Sequence, residues 1–123
     1  MKQSLTRFAP TALLAAAALL VATQAEAHAH LVKATPAANA QVGAPTTLQL
    51  QFSEKLEPKF SAVELMKASG TAIAVTSAVS AKDAKAIDVG VKTPLAPGAY
   101  MVMWHVVSAD GHKSKGDYNF TVK

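Results

Sequence analysis

The chain has no cysteine among its 123 residues. No disulfide can staple it, and a thiolate metal site is excluded, which removes blue-copper and Cys-based zinc chemistry together. Aromatic residues are scarce at 6%, with Trp104 the sole tryptophan. Beyond residue 27 the positive charge is all lysine and scattered, without the basic run and interleaved aromatics of a nucleic-acid surface, so nucleic acid is not an expected partner. Helical periodicity of useful length, internal repeats and low-complexity linkers are also missing after residue 27. The apolar run over residues 12–22 is about half of the ~20 residues a membrane-spanning helix requires.

That short run has the setting of a removable export signal. Lys2 and Arg7 precede it, and Ala25, Glu26 and Ala27 follow the small-x-small cleavage pattern. Residues 1–27 are therefore expected to be a cleaved signal peptide and residues 28–123 a single domain. Cleavage leaves 96 residues and lowers the formal net charge from +4 to +3, since Lys2, Arg7 and Glu26 are removed. A domain of this size supports one core. Without disulfides, that core must hold the fold alone.

The mature chain reads as all-β. Leu48, Leu50 and Phe52 alternate with Gln49, Gln51 and Ser53, the period-2 pattern of a half-buried strand. Val63 and Leu65 continue it, Ser69 and Gly70 supply a turn, and Ile73 and Val75 begin again. Ile87, Val89 and Val91 make another strand, ended by Pro94, Pro97 and Gly98. Tyr100, Val102, Trp104 and Val106 share one face of the longest strand, and Tyr118, Phe120 and Val122 form the last. With the segment around Leu31 this gives about seven strands, a spacing that favours a two-sheet sandwich or Greek-key barrel. Ala and Ser between Ser77 and Ala86 read as a weakly patterned loop.

Chemistry concentrates in two places. Cleavage after Ala27 would make His28 the first residue, whose amine and imidazole then offer two nitrogens to one metal ion. The second place is residues 108–112, where Asp110 and His112 flank Gly111 at the end of the long strand. In an extended backbone residues two apart point the same way, and Gly111 permits unusual dihedrals. Two imidazoles, one amine and a carboxylate or water make a tetragonal N,O set, the geometry that Cu(II) favours. His30 offers a competing mode through the amine, two deprotonated amides and its imidazole. That mode needs a flexible terminus, whereas Leu31 and Val32 should draw the segment into a sheet.

Several short motifs are shared with a known family. His28 to Leu31 with Pro36 and Ala37, then Phe52, Ser53 and Glu54, then Leu95, Pro97, Gly98 and Tyr100 are among them. Trp104 leading into residues 106–112, and the closing Gly116, Tyr118, Phe120, Thr121 and Val122, complete the pattern. Over the whole mature chain the sequence resembles the CopC family of periplasmic copper-binding proteins. The resemblance implies a Greek-key β-barrel of immunoglobulin-like shape. It also implies one Cu(II) ion held by the amine and imidazole of His28, the imidazole of His112 and the carboxylate of Asp110, with Glu54 behind the ligands near the amine. A role in copper homeostasis or resistance, a monomeric state and a CopD-like inner-membrane partner follow from the same resemblance.

One departure stands out. Some members of that family carry a Cu(I) site in a methionine-rich loop between the middle strands, and here the corresponding stretch offers only Met66, so no such loop site is expected. Met101, Met103 and His105 should share the outer face of the long strand, where they offer a substitute Cu(I) ligand set, with methionine as a space-filler the plainer reading. Three function classes remain: a copper carrier or buffer, a histidine-brace copper oxygenase, and a metal-free immunoglobulin-like interaction domain. A carrier wants a filled coordination plane and an oxygenase an open position beside a substrate-gripping surface. Asp110 offers the extra ligand and no aromatic row is evident, so a non-enzymatic carrier is expected.

Overall fold

The computed structural model describes residues 28–123; the expected signal peptide over residues 1–27 lies outside the described residues. Nine strands follow one another: β1 (Leu31–Thr35), β2 (Gln41–Val42), β3 (Thr47–Phe52), β4 (Ala62–Lys67), β5 (Ala72–Ile73), β6 (Val75–Val79), β7 (Ala86–Val91), β8 (Gly98–Val107) and β9 (Lys113–Val122). They form a four-stranded sheet in the order β1-β3-β7-β6 and a five-stranded sheet in the order β2-β9-β8-β4-β5. Among the described residues the sole helical element is a 3-10 turn at Pro58–Phe60.

The period-2 segments behave as their sequence predicts. Leu48, Leu50 and Phe52 of β3 and Ile87 and Val89 of β7 turn inward, against Val63 and Leu65 of β4, Tyr100, Val102 and Val106 of β8, and Phe120 and Val122 of β9. Burying each large aliphatic or aromatic side chain contributes about 1.5–3 kcal/mol, and in a cysteine-free chain this interior carries the fold. Tyr100 is placed twice over, stacked on Phe120 at 5.7 Å between ring centroids and donating its hydroxyl to the Ala96 carbonyl at 2.7 Å. Trp104 lies half-buried at the rim, edge-on to Phe52 at 5.1 Å. Its indole covers Gly116, where an added Cβ would come within 2.5 Å of the ring.

Two expectations need correction. Ile73 and Val75 do not belong to one strand: the chain changes sheets at Ala74, so β5 pairs with β4 and β6 pairs with β7. Residues 77–79, read as the start of a loop, continue β6 opposite Val89, Asp88 and Ile87. Their alternation is muted because Ala and Ser stand where larger apolar and polar residues would make it visible.

What positions the site is the β8–β9 hairpin. Its ten antiparallel pairs run from Gly98 opposite Val122 to Val107 opposite Lys113, so residues 108–112 form the tip. β1 belongs to the other sheet, and the residues before it reach the same end of the sandwich.

Candidate metal centre

The tip is a turn built around one hydroxyl. Ser108, buried at 1% exposure, receives the His112 amide on its Oγ at 3.3 Å and donates the same hydroxyl to Asp110 Oδ1. Backbone bonds close the turn, from Ser108 N to His112 O at 2.9 Å and from Gly111 N to Ser108 O at 2.7 Å. Gly111 has φ +94, a region that side chains rarely enter, which is why glycine stands there. The backbone between Asp110 and His112 is thus a tight turn and not the extended segment the sequence suggested. Their side chains still meet, because the turn folds them onto each other.

His112 Nδ1 and Asp110 Oδ1 are 3.1 Å apart. An ionised carboxylate can only accept, so this contact puts a proton on Nδ1, and in the neutral ring Nε2 is then the nitrogen with the lone pair. The Ser108 hydroxyl and then the His112 ring hold the Asp110 carboxyl below its usual range, because both bond to the ionised form. Both side chains of the pair remain well exposed to solvent.

His28 comes from a distant part of the sequence, just before β1. Its ring lies edge-on to that of His112, with centroids 5.2 Å apart and planes at 73°. This meeting comes about across the two sheets at the end of the sandwich, not by pairing of one strand with another. Ser114 Oγ, at the start of β9, donates to the Ala29 carbonyl at 2.7 Å, and Ala29 itself is buried. One residue on, the His30 amide donates to Ser53 Oγ at 3.0 Å and the Ser53 amide donates to the His30 carbonyl at 2.9 Å. The terminal segment is therefore pinned on both sides. The His30 amide that the competing mode would have to deprotonate is already a donor to Ser53.

Glu54 is exposed and shares a shallow cleft with Lys55, Lys85, Ser108, Ala109 and Asp110. Among the described residues no three His, Asp or Glu side chains are gathered closely enough to hold a metal ion by themselves. What meets at the tip is two pairs, Asp110 with His112 and the His112 ring with that of His28, while Glu54 lines the cleft beside Asp110. The sequence reading assigned no structural role to three serines, Ser53, Ser108 and Ser114, whose hydroxyls tie the terminal segment and the turn in place. Each sits one residue from a strand end, where a short hydroxyl side chain competes for backbone partners.

A sequence profile of the CopC domain matches residues 31–123. The chain belongs to the CopC family. Protein YobA of Escherichia coli (strain K12) is 45% identical over 106 residues, covering 85% of this chain and 86% of that one. Copper resistance protein C of Xanthomonas campestris pv. juglandis is 40% identical over 120 residues, covering 92% and 94%. The crystal structure of CopC from Methylosinus trichosporium OB3b superposes with a TM-score of 0.73 at 32% identity, covering 78% of this chain and 94% of that one. The all-β fold expected from the sequence is thus the fold of the CopC family. Glu54, Asp110 and His112 fall inside the matched CopC domain, and His28 lies three residues before it.

Proposed function

We propose that this CopC-family protein is exported to the periplasm by removal of residues 1–27 and there holds one Cu(II) ion as cargo, acting as a carrier or buffer in copper homeostasis. The amine and imidazole of His28, the imidazole of His112 and the carboxylate of Asp110 would hold the ion, with Glu54 supporting the amine. The observation that carries this reading is the edge-on meeting, at 5.2 Å, of His28 and His112, which are far apart in the sequence. Two neutral imidazoles and a carboxylate suit a borderline divalent ion, and an amine would complete the set that tetragonal Cu(II) prefers. The side chains do not complete that set by themselves, and a terminal amine would add the further donor. In the uncut chain His28 is in a peptide bond with Ala27, so cleavage controls the site.

The arrangement favours storage over catalysis. Asp110 stands beside His112 as a further anionic donor, which would fill a position that oxygen activation needs open. The large hydrophobic side chains exposed among the described residues are Val32 and Phe60, which do not make an aromatic row for a flat polymer. Partnership with a CopD-like membrane protein and a monomeric state belong to the same reading. Because each nitrogen must be free of its proton to bind, acid competes with the ion.

The deciding experiment is Cu(II) titration of protein beginning at His28 against protein carrying one additional residue before it. The expected result is at least ~100-fold weaker binding in the extended form. Equal affinity would overturn the terminal-amine site.

A further inference from the structure

One part of the surface combines a concave shape, an exposed aromatic ring and a cluster of lysines. The 3-10 turn Pro58–Phe60 lies against the tip end of β8, and a groove of about 630 Å³ opens between the turn and the β8–β9 hairpin. Phe60 and Val107 give it an apolar lining, and Lys59, Lys113 and Lys115 give it charge. A single exposed apolar side chain is ordinary on a protein surface. Phe60 is 60% exposed, but it stands as one wall of a cleft whose other groups are cationic.

The backbone fixes these groups in place. The Glu57 amide donates to the Val107 carbonyl at 2.8 Å, the Val107 amide donates to Ser61 Oγ at 3.1 Å, and the Phe60 amide closes the turn on the Glu57 carbonyl at 3.1 Å. Just before the turn, Leu56 is buried and bridges to Ser108. Phe60 is therefore held outward by a turn bonded to β8. On the hairpin, His105 stands opposite Lys115 and Val107 opposite Lys113. Val106 between them is buried, so these four residues share the outer face.

Charge decides what the groove fits. Among the described residues no carboxylate lines it, and none of the three lysines is in an ion pair. Further along the same face, Glu64 and Asp117 flank β8 at Met103, about 7 Å beyond His105. An anionic segment is thus attracted near the tip and repelled towards the middle of the sheet, which sets the direction in which it lies. An apolar centre with a polar rim is the usual anatomy of a protein interface, and aromatic residues are its common anchors. A flat anionic membrane would meet the lysines and leave the cleft behind Phe60 unfilled, so the concave shape favours a chain segment.

We propose that this groove is a docking site for an acidic segment of a partner protein. An apolar side chain of the segment packs on Phe60 and Val107, and its carboxylates meet Lys59, Lys113 and Lys115. The site goes beyond the copper reading, and neither His28 nor Asp110 enters it. Because Lys113 adjoins His112, a docked partner lies beside the hairpin tip.

The test is a titration of isotopically labelled protein, followed through its backbone amide resonances, with a short peptide of aspartate and glutamate around a central leucine and with its asparagine and glutamine counterpart. The acidic peptide is expected to shift the amides of Phe60, Val107, Lys113 and Lys115, with affinity that falls as salt rises, while the neutral peptide leaves them in place. Paired Lys59→Glu and Lys115→Glu substitutions, and separately Phe60→Ala, should each weaken binding at least ~10-fold. Unmoved amides, an equal response to the neutral peptide, or unchanged affinity in both variants would overturn the site. So would amides that move on dilution without peptide, which would assign the groove to a second copy of the chain, or amides that respond to phosphatidylglycerol vesicles and not to peptide, which would assign it to a membrane surface. Should a variant fail to fold, the shifts and salt dependence of the parent protein decide the matter alone.

Discussion

The tip of the β8–β9 hairpin and the ladder beneath it are held by different forces. At the tip, residues 108–112 are placed by hydrogen bonds: Ser108 to Asp110, Asp110 to His112, and Ser114 to the incoming Ala29. Along the ladder, position follows from register and close contact, as with Trp104 over Gly116 and Tyr118 opposite Val102. Donors proposed to hold an exchangeable ion gain from the first arrangement, since these hydrogen bonds orient the Asp110 and His112 side chains while leaving them exposed to solvent. A rigid frame gains from the second. Substitutions at the tip should therefore change binding and spare stability, and substitutions in the ladder should do the reverse.

The largest departure is expected for His112→Ala in protein beginning at His28. Loss of one imidazole should weaken Cu(II) binding by more than ~100-fold and abolish the rise in thermal midpoint expected of the parent protein with the ion, about 2.7 kcal/mol of stabilisation at a hundredfold excess over Kd. Without copper the variant should melt within about 0.5 kcal/mol of the parent, because the His112 side chain is exposed. A large copper-free destabilisation in calorimetry would break the distinction between tip and ladder. Asp110→Asn comes next. It keeps the shape of the turn and removes both the charge facing His112 Nδ1 and the proposed carboxylate ligand; a ligand-orienting partner alone is worth about 10–100-fold in metal affinity, so the loss should be at least ~10-fold. An unchanged Cu(II) titration would count against Asp110 in the site.

The same division governs what could be read from the residues alone. Strong alternation, as in Leu48, Leu50 and Phe52, specifies a buried face wherever it occurs, so the long strands were legible. Ser77 to Val79 were not, because small side chains mute the pattern, and the change of sheet at Ala74 leaves Ile73 and Val75 in ordinary alternation. Asp110, Gly111 and His112 stood out by residue type, although the turn that joins Asp110 to His112 has the opposite backbone to the one the spacing suggested. Met66 and Met101 are neighbours only through the register of β4 on β8. No periodicity within either strand encodes that pairing.

A ladder position gives the converse prediction. Gly116→Ala forces a Cβ into the indole of Trp104, which is backed by Phe52 and cannot simply swing away. Overpacking of this kind costs about 1–3 kcal/mol, and in a domain this small each kcal/mol lowers the thermal midpoint by about 4–8 °C. Cu(II) affinity, measured below the new midpoint, should stay within a few-fold of the parent. A variant as stable as the parent would show that the indole has room to move.

The smallest effect is expected at Tyr118, where packing and hydrogen bonding pull apart. Its hydroxyl is buried with no hydrogen-bond partner among the described residues. Burial pushes its pKa up to about 12 from the model-peptide value of 10.0. Below pH 10 the folded and unfolded chains both keep the proton, and the group gives no pH dependence. Between about 10 and 12 the unfolded chain releases the proton while the folded chain retains it, so stability falls as pH rises. Tyr118→Phe removes the unpaired hydroxyl and leaves the ring, so at neutral pH it should be neutral or stabilising by up to about 1 kcal/mol. Its denaturant midpoint should also decline less steeply above pH 10 than that of the parent. A variant clearly less stable at neutral pH would mean that the hydroxyl has a partner, such as a trapped water, and that the ladder too relies on hydrogen bonding at this position.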